Sequence, residues 1–207
     1  MTTGAGSVRP LFSELLASPG VEEHAELRSR TGFLALHGGL EEGTAEIAAA
    51  AAERAGATCY TVVQPSELAW HIPSHLFDPA DSPRLHAVLE HCDAVVSLHG
   101  YGRHGLWTTL LVGGAARTLA AQLSHELRRS LPEYDVLDDV TAIPTELRGL
   151  DPRNPVNLCR GGGVQLELPP RVRGIGPHWA AFDDAGFTPH TEALVGALAR
   201  FAASNDT

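Results

Sequence analysis

The sequence lacks the features that would direct it to a membrane or to nucleic acid. Among its 207 residues, no apolar run approaches the ~18 residues that a membrane-spanning helix needs. Residues 1–7 lack the positive flank and the apolar stretch of a secretory signal. Lysine is absent, and the formal net charge of −10 leaves no basic stripe to meet phosphates. We therefore expect a cytoplasmic protein that contacts neither a membrane nor nucleic acid.

Cysteine is scarce as well. Cys59, Cys92 and Cys159 are an odd number and lie far apart, so we expect no disulfide framework and a reducing compartment. No C-x-x-C pair is present, which argues against a structural zinc site closed by four protein ligands. Repeats and long linkers are also missing. The length and the 43% of apolar residues predict a single domain over residues 1–207, with residues 1–10 flexible and the oligomeric state left open.

The hydrophobic pattern predicts strands and helices in alternation. Thr44 is a candidate N-cap for a helix that Gly56 would end. A strand, a helix and a strand in that order indicate a parallel crossover, hence an α/β fold. The predicted strands are Ala25–Arg28, Phe33–Leu36, Thr58–Val63, Asp93–Leu98, Thr108–Val112, Glu133–Leu137 and Val164–Leu168; the predicted helices are Leu11–Ala17, Thr44–Ala55, Ser82–Cys92, Ala115–Ser130 and Pro189–Ala203.

Two histidines each follow a predicted strand and each precede a glycine. His37 opens the turn H-G-G-L-E-E, and His99 opens H-G-Y-G. Because the carboxyl ends of parallel strands meet at one edge of a sheet, the two imidazoles can converge there. Two histidines and a carboxylate, with water in the fourth position, form the ligand set of a catalytic zinc. The competing interpretation is two unrelated core histidines.

A carboxylate in the last predicted strand is a candidate general base. The alternation of V-Q-L-E-L puts Gln165 and Glu167 on one face. The glycines at 161–163 and the diproline at 169–170 suggest a strand near an opening. A carboxylate there could deprotonate a zinc-bound water and pass the proton to a leaving amine. Alternatively, this face is simply solvated.

Four motifs occur in order along the chain: H-G-G-L-E-E-G-T from His37, H-I-P-S-H-L-F-D from His71, S-L-H-G-Y from Ser97 and N-L-C-R-G-G-G-V-Q-L-E from Asn157. Together they resemble the poly-γ-glutamate hydrolase family, phage-related zinc amidohydrolases. The resemblance spans residues 11–167. It implies a carboxypeptidase A-like α/β fold, with a mixed, mostly parallel sheet flanked by helices.

The resemblance also implies one zinc per chain and a set of site residues. The metal would be held by His37, Glu41 and His99, with Glu167 as general base. The turn after His37 is one residue shorter than is common in the family, so counting forward selects Glu42 instead. Glu41 is preferred, because Leu40-Glu41 takes the place of the family's apolar-Glu pair.

Three further residues are candidates for substrate binding. Relatives often carry an arginine at the position of Leu158, and Arg160 is the candidate replacement, bidentate to a substrate carboxylate; a solvated loop arginine is the alternative. His71 would contact substrate or stabilise an oxyanion, or else cap its own loop. Tyr101 would donate to the tetrahedral intermediate, or pack beside His99.

The leading hypothesis is therefore a zinc hydrolase that cleaves a γ-glutamyl amide bond in a small or oligomeric substrate. The net charge of −10 does not attract a polyanion, so such a site needs local arginines such as Arg103 or Arg160. The alternative is a deacylase or carboxypeptidase acting on a small N-acyl amino acid or a short peptide. A catalytically silent phage-accessory or binding protein is a third reading, but this chain keeps all four candidate residues, which favours an enzyme.

Overall fold

Helices and strands alternate along the part of the chain that the computed structural model describes, residues 11–175 and 186–206. The predicted flexible start, residues 1–10, lies outside the described residues. The helices are α1 (Phe12–Leu16), α2 (Thr44–Ala55), α3 (Pro83–His91), α4 (Arg117–Ser130) and α5 (Pro189–Asn205). The strands are β1 (Glu22–Glu26), β2 (Thr31–Gly38), β3 (Thr58–Val63), β4 (Ala94–Gly100), β5 (Thr109–Val112), β6 (Asp135–Leu137) and β7 (Gly163–Leu168).

The predicted elements are all present, with three differences. The first strand lies at Glu22–Glu26, upstream of its predicted position. β2 and β4 extend over the two histidines, so His37 and His99 lie within strands and not after them. Thr44 is not the N-cap of α2: Gly43 takes that position with a φ of 83°, and the Thr44 hydroxyl donates to the Glu41 carbonyl at 2.7 Å.

The seven strands of the described residues form one sheet in the order β1-β3-β2-β4-β7-β5-β6. The pairs β3–β2, β2–β4, β4–β7 and β5–β6 are parallel, whereas β1–β3 and β5–β7 are antiparallel. Helices pack on both faces. The predicted α/β fold with a mixed, mostly parallel sheet flanked by helices is therefore confirmed.

Two apolar layers hold the helices on the sheet, because successive side chains of a strand point to opposite faces. Phe33 and Ala35 of β2 belong to the apolar layer against which α2, α4 and α5 pack. Leu34 and Leu36 belong to the opposite layer, with α1 and α3. This is why β2 reads as a continuous apolar run: all eight of its residues are buried.

The centre of the sheet contains the point at which the strand order reverses. From β2 the chain crosses to β3 on one side and then to β4 on the other. Open α/β sheets bind ligands in the crevice outside the carboxyl ends of the strands at such a point. His37 is the last residue but one of β2, His99 is the last residue but one of β4, and Glu167 of β7 is the direct partner of His99 across the parallel ladder. The fold thus brings these three side chains to one crevice.

The three cysteines, Cys59, Cys92 and Cys159, are buried free thiols. Burial raises the pKa of Cys59 and Cys159 to about 11 and that of Cys92 to about 12, so these thiols stay protonated.

Across residues 11–175 and 186–206, we find no helix that has both the length and the apolar character needed to cross a membrane.

Candidate metal centre

Three donor groups converge at the carboxyl end of β2 and β4. The His37 Nδ1 atom lies 3.0 Å from Glu41 Oε1 and 3.2 Å from His99 Nδ1. The His99 Nδ1 atom lies 3.4 Å from Glu41 Oε2. Both imidazoles are only 2–3% exposed. Zinc ligands at about 2.0–2.1 Å in a tetrahedron are roughly 3.3 Å apart, so this spacing fits one zinc ion.

The outer ring nitrogens support the same conclusion. His37 Nε2 lies 2.7 Å from the Ile72 carbonyl, which can only accept, so this nitrogen carries the proton in the neutral ring. His99 Nε2 lies 3.0 Å from the Ser97 hydroxyl. The inner Nδ1 atom of His37 is therefore left as a lone pair that faces the other imidazole. This lone pair can ligate a cation, and a hydrogen-bond partner on the outer ring nitrogen, such as the Ile72 carbonyl, is what orients a metal-binding histidine.

Each of the three groups shifts the pKa of its neighbours or has its own pKa shifted by them. Burial alone would raise the pKa of Glu41, but the neighbouring His37 and His99 outweigh it and hold that pKa well below its ordinary range. Burial would lower the pKa of His99, but the Glu41 carboxylate, followed by Glu167, reverses the direction and raises it. Glu41 is thus an anion between two imidazoles, the state that a divalent cation requires of its ligands.

His71 forms a wider group with two of these residues. Ligand atoms of His37, Glu41 and His71 all lie within 4.8 Å of one another. His71 Nε2 is 3.8 Å from Glu41 Oε1, and its ring stacks on that of His37 with centroids 4.8 Å apart. We favour His99 over His71 as the third metal ligand, because its contacts are shorter and it is fixed within a buried strand, whereas the His71 side chain is 62% exposed on a loop.

The turn after β2 explains why Glu41 is the glutamate that points inward. Gly39 has a φ of 78°, and a Cβ atom there would lie 2.1 Å from the Gln64 carbonyl oxygen, so only glycine fits. The Glu41 N–H then donates to the His37 carbonyl at 2.8 Å. The Glu41 carboxylate is held by the Gly100 N–H at 2.9 Å. Glu42 is exposed, and its carboxylate lies outside this group.

Glu167 lies beside the three donors without touching them. It is 3% exposed, and its Oε1 atom accepts from Gln165 Nε2 at 2.8 Å. Gln165 in turn accepts from Asn154 Nδ2 at 2.9 Å. β7 is buried along its whole length, so the solvated-face alternative for Glu167 is wrong. Burial, only partly offset by the nearby His99, raises the pKa of Glu167 to about 7.

This raised pKa predicts a pH-dependent stability for the metal-free protein. A glutamate in an unfolded chain titrates near about 4.3. Between that value and about 7 the folded protein holds a proton that the unfolded chain has lost, so the free energy of unfolding falls as the pH rises. Urea unfolding measures the free energy of unfolding at about pH 4.5 and at about pH 8. Between these two pH values, this free energy should fall by about 3 kcal/mol more for wild type than for Glu167→Gln. Equal losses in the two proteins would contradict the burial argument.

A cavity of about 450 Å³ opens in front of these groups. His37, Glu41, His99 and Glu167 form its floor, and His71 stands at its side. One wall of the cavity comes from the irregular segment between β6 and β7. Residues of that wall include Thr145, Glu146, Leu147, Gly149, Leu150, Asp151 and Asn154. The volume suits a small ligand or one segment of a longer chain.

Two predicted substrate-binding residues are not in this cavity, and both expectations are corrected. The Tyr101 hydroxyl donates to the backbone carbonyls of Leu106 and Thr109, and its ring packs with Leu111 and Ile143. It therefore stabilises its own loop. Arg160 precedes β7, at the amino end of the strand, where it pairs with Asp93 at 3.3 Å and is 76% exposed. The length of β7 separates it from Glu167.

Sequence reasoning missed the polar residues that support the site. Asn154 is not among the predicted site residues, yet its side chain is buried and donates to Gln165. Gln165 itself shares the strand face of Glu167, and this alternation was the available signal. Arg173, which lies just after the diproline, also escaped notice.

Solved structures with the same fold include a bacteriophage poly-gamma-glutamate hydrolase, 22% identical, with a TM-score of 0.72 over 89% of each chain. The zinc-free apo form of YNDL is 23% identical, with a TM-score of 0.71 over 88% of this chain and 89% of that one. A metallo-carboxypeptidase from Burkholderia cenocepacia is 12% identical, with a TM-score of 0.46 over 91% of this chain and 65% of that one. The curated proteins gave no match. The first two structures share the α/β architecture described above.

A comparison of the sequence with models of protein families identifies the family. The model of the poly-gamma-glutamate hydrolase family matches residues 12–183, far more than half of the chain. The protein therefore belongs to the poly-γ-glutamate hydrolase family. The predicted resemblance and the predicted enzyme class, a hydrolase, are confirmed.

Proposed function

We propose that the protein is a zinc-dependent hydrolase that cleaves a γ-glutamyl amide bond, with one zinc held by His37, Glu41 and His99. The observation that carries this proposal is the convergence of three donor groups at an open cavity: the Nδ1 atoms of His37 and His99 lie 3.2 Å apart, and each lies 3.0–3.4 Å from one carboxylate oxygen of Glu41. Nitrogen and oxygen donors suit zinc, and three protein ligands leave a fourth position open, as in catalytic sites. When bound, the ion would supply Lewis acidity to the amide carbonyl and would lower the pKa of water.

Glu167 is proposed as the general base. Its carboxyl lies in the strand next to His99 and does not belong to the donor group, which leaves it free to exchange protons. A pKa of about 7 suits a group that must both accept and return a proton near neutral pH. Gln165 fixes one oxygen. The other oxygen would take the proton of the attacking water and then deliver it to the leaving amine.

His71 is proposed to contact the substrate. It stands at the side of the cavity, on the long segment between β3 and α3, and its ring is exposed to an incoming ligand. A ring N–H in this position can donate to the carbonyl oxygen as negative charge develops there. Its stacking on His37 holds it close to the reacting group.

Arg103 and Arg153, two arginines near the cavity, already form ion pairs within the protein, and this limits how a substrate carboxylate could bind. Glu146 and Asp151 line the wall, and they form ion pairs with Arg103 and Arg153 respectively. Exposed pairs of this kind are weak, so a substrate carboxylate could replace Glu146 on Arg103. Because no arginine or lysine is among the described residues that line the cavity, a substrate with fewer carboxylates than a γ-glutamyl oligomer is the second candidate, and the enzyme would then be a deacylase or carboxypeptidase acting on a small N-acyl amino acid or short peptide.

Elemental analysis and a substrate panel test the proposal together. Protein purified without chelator should contain one zinc per chain, and His99→Ala should lose most of it, because two remaining ligands hold zinc poorly. Zinc-loaded protein should then be compared on γ-linked glutamyl oligomers, α-linked oligomers and N-acyl amino acids. Preference for the γ-linked series supports the first candidate. Zinc binding without hydrolysis of any substrate would point to a silent binding protein, and full activity without metal would refute the zinc role.

A further inference from the structure

Arg173 lies behind the metal centre, in the segment that follows β7, and is half-buried. Its guanidinium donates three hydrogen bonds, each to a backbone carbonyl of a different segment. Nε donates to Leu168 at 3.1 Å, Nη1 to Glu42 at 2.7 Å and Nη2 to Tyr101 at 3.4 Å. One side chain therefore joins the last residue of β7 to the segments that follow β2 and β4.

Each of these carbonyls belongs to a residue close to one of the proposed functional groups. Glu42 follows Glu41, Leu168 follows Glu167, and Tyr101 lies two residues after His99. We infer that Arg173 is a positioning residue, whose planar fork sets the spacing of the metal ligands and the general base through these three carbonyls. The inference rests on the proposed function, because it assigns Arg173 to the same centre.

The site is built to accept this guanidinium. A Cβ atom on Gly100 would lie 2.7 Å from both Cζ and Nη1 of Arg173, so the glycine leaves the space that the group occupies. The same Gly100 donates its N–H to the Glu41 carboxylate at 2.9 Å. Arg173 therefore packs directly on the backbone that holds Glu41.

Charge alone is the competing explanation, because Arg173 also lies near the carboxylates of Glu41, Glu42 and Glu167. Lysine distinguishes the two. It keeps the positive charge, but its ammonium is a point donor and cannot reproduce a fork that spans three carbonyls. If the geometry of the hydrogen bonds positions the site, Arg173→Lys should bind zinc more weakly than wild type. If only the positive charge matters, Arg173→Lys should bind zinc as wild type does.

The test compares wild type with Arg173→Lys and Arg173→Met. Zinc affinity is measured by competition with a chromophoric chelator, and the visible absorption spectrum of the Co²⁺-substituted protein reports the coordination geometry. Loss of supporting contacts around a metal site typically costs about 10- to 100-fold in affinity or activity. We expect both variants to bind zinc about 10- to 100-fold more weakly, to show an altered Co²⁺ spectrum and to turn over more slowly even at saturating zinc.

Arg117 is the matched control. Its guanidinium also donates only to backbone carbonyls, those of Val112, Gly114 and Asp138. However, Val112, Gly114 and Asp138 are not adjacent in sequence to His37, Glu41 or His99, and Gly114 lies against Gly163 at the amino end of β7. Arg117→Lys should therefore lower the Tm while leaving zinc affinity and the Co²⁺ spectrum unchanged.

The outcomes separate this inference from the proposed function. If wild type binds no zinc, the proposed function fails and the inference fails with it. If wild type binds zinc and Arg173→Lys matches it in affinity, spectrum and turnover, only the positioning role is overturned. Circular dichroism identifies folded protein; should Arg173→Met not fold, Arg173→Lys, which keeps the charge and most of the side chain, decides the question.

Discussion

Replacement of Glu167 by glutamine is expected to lower kcat by at least about a hundredfold, because a general base contributes typically about 10²- to 10⁴-fold to the rate. Glutamine keeps the shape of the side chain and can still hydrogen-bond with Gln165. It cannot accept the proton of the attacking water. Because Glu167 does not belong to the donor group, zinc content and substrate binding should stay close to wild type. Steady-state kinetics and elemental analysis of the same preparation measure both quantities.

The pH–rate profile gives this variant a second readout. The acidic limb of the wild-type profile should report protonation of the Glu167 carboxyl, so it should disappear in Glu167→Gln. Glu90→Gln, which removes an exposed carboxylate on α3, is the control for the loss of one negative charge and should keep the wild-type rate and profile. Wild-type turnover in Glu167→Gln would place the base elsewhere, and loss of zinc would make Glu167 a ligand.

The crevice could be predicted from sequence because its residues follow simple rules. Apolar runs of strand length end at His37 and at His99, and parallel strands bring such ends to one edge. The sequence could not say that these strands are immediate neighbours at the point of reversal, since that depends on the crossover from β3 to β4. The position of Glu167 also depends on pairing: β7 inserts between β4 and β5 and so places Glu167 opposite His99.

The two arginines near β7 show where sequence reasoning failed. The family resemblance predicts a role for Arg160 because it lies near a position at which relatives carry arginine. Yet it precedes a strand of six residues, which at about 3.3 Å per residue carries the chain roughly 20 Å to the carboxyl end. Arg173 follows the same strand and returns to the site. Strand direction alone favours a residue after β7 over one before it. The contacts of Arg173 with three backbone carbonyls, however, have no signature in the sequence.

Tyr101 illustrates a different limit. It follows His99 by two residues, and strand alternation would put the two side chains on the same face. β4 ends at Gly100, however, so the alternation stops before Tyr101. Its hydroxyl then satisfies two carbonyls of the following loop. Sequence patterns predict where regular structure continues, but they do not predict which partner a side chain finds after it ends.

The second large effect concerns the register of the turn after β2. Glu41→Gln should weaken zinc binding by at least about a hundredfold, since loss of a ligand should cost no less than the loss of a supporting contact. The Glu41 carboxylate lies 3.0 Å from His37 Nδ1 and 3.4 Å from His99 Nδ1, and no other carboxylate of the described residues lies this close to both rings. An amide in its place removes the negative charge that offsets a divalent cation. Chelator competition measures the change in affinity.

Glu42→Gln is the matched control, because it makes the same chemical change one residue further along the same turn. The hydrogen bond between Glu42 and Arg173 uses the backbone carbonyl of Glu42, and that bond survives the substitution. Its carboxylate is exposed, so water and salt screen it from the centre. Zinc affinity should therefore stay within about twofold of wild type. The opposite pattern, with Glu42→Gln losing zinc and Glu41→Gln keeping it, would mean that the turn shifts by one residue when metal binds. Since Gly39 and Gly43 both hold positive φ angles that fix the turn on either side of the two glutamates, such a shift would have to rebuild the whole segment.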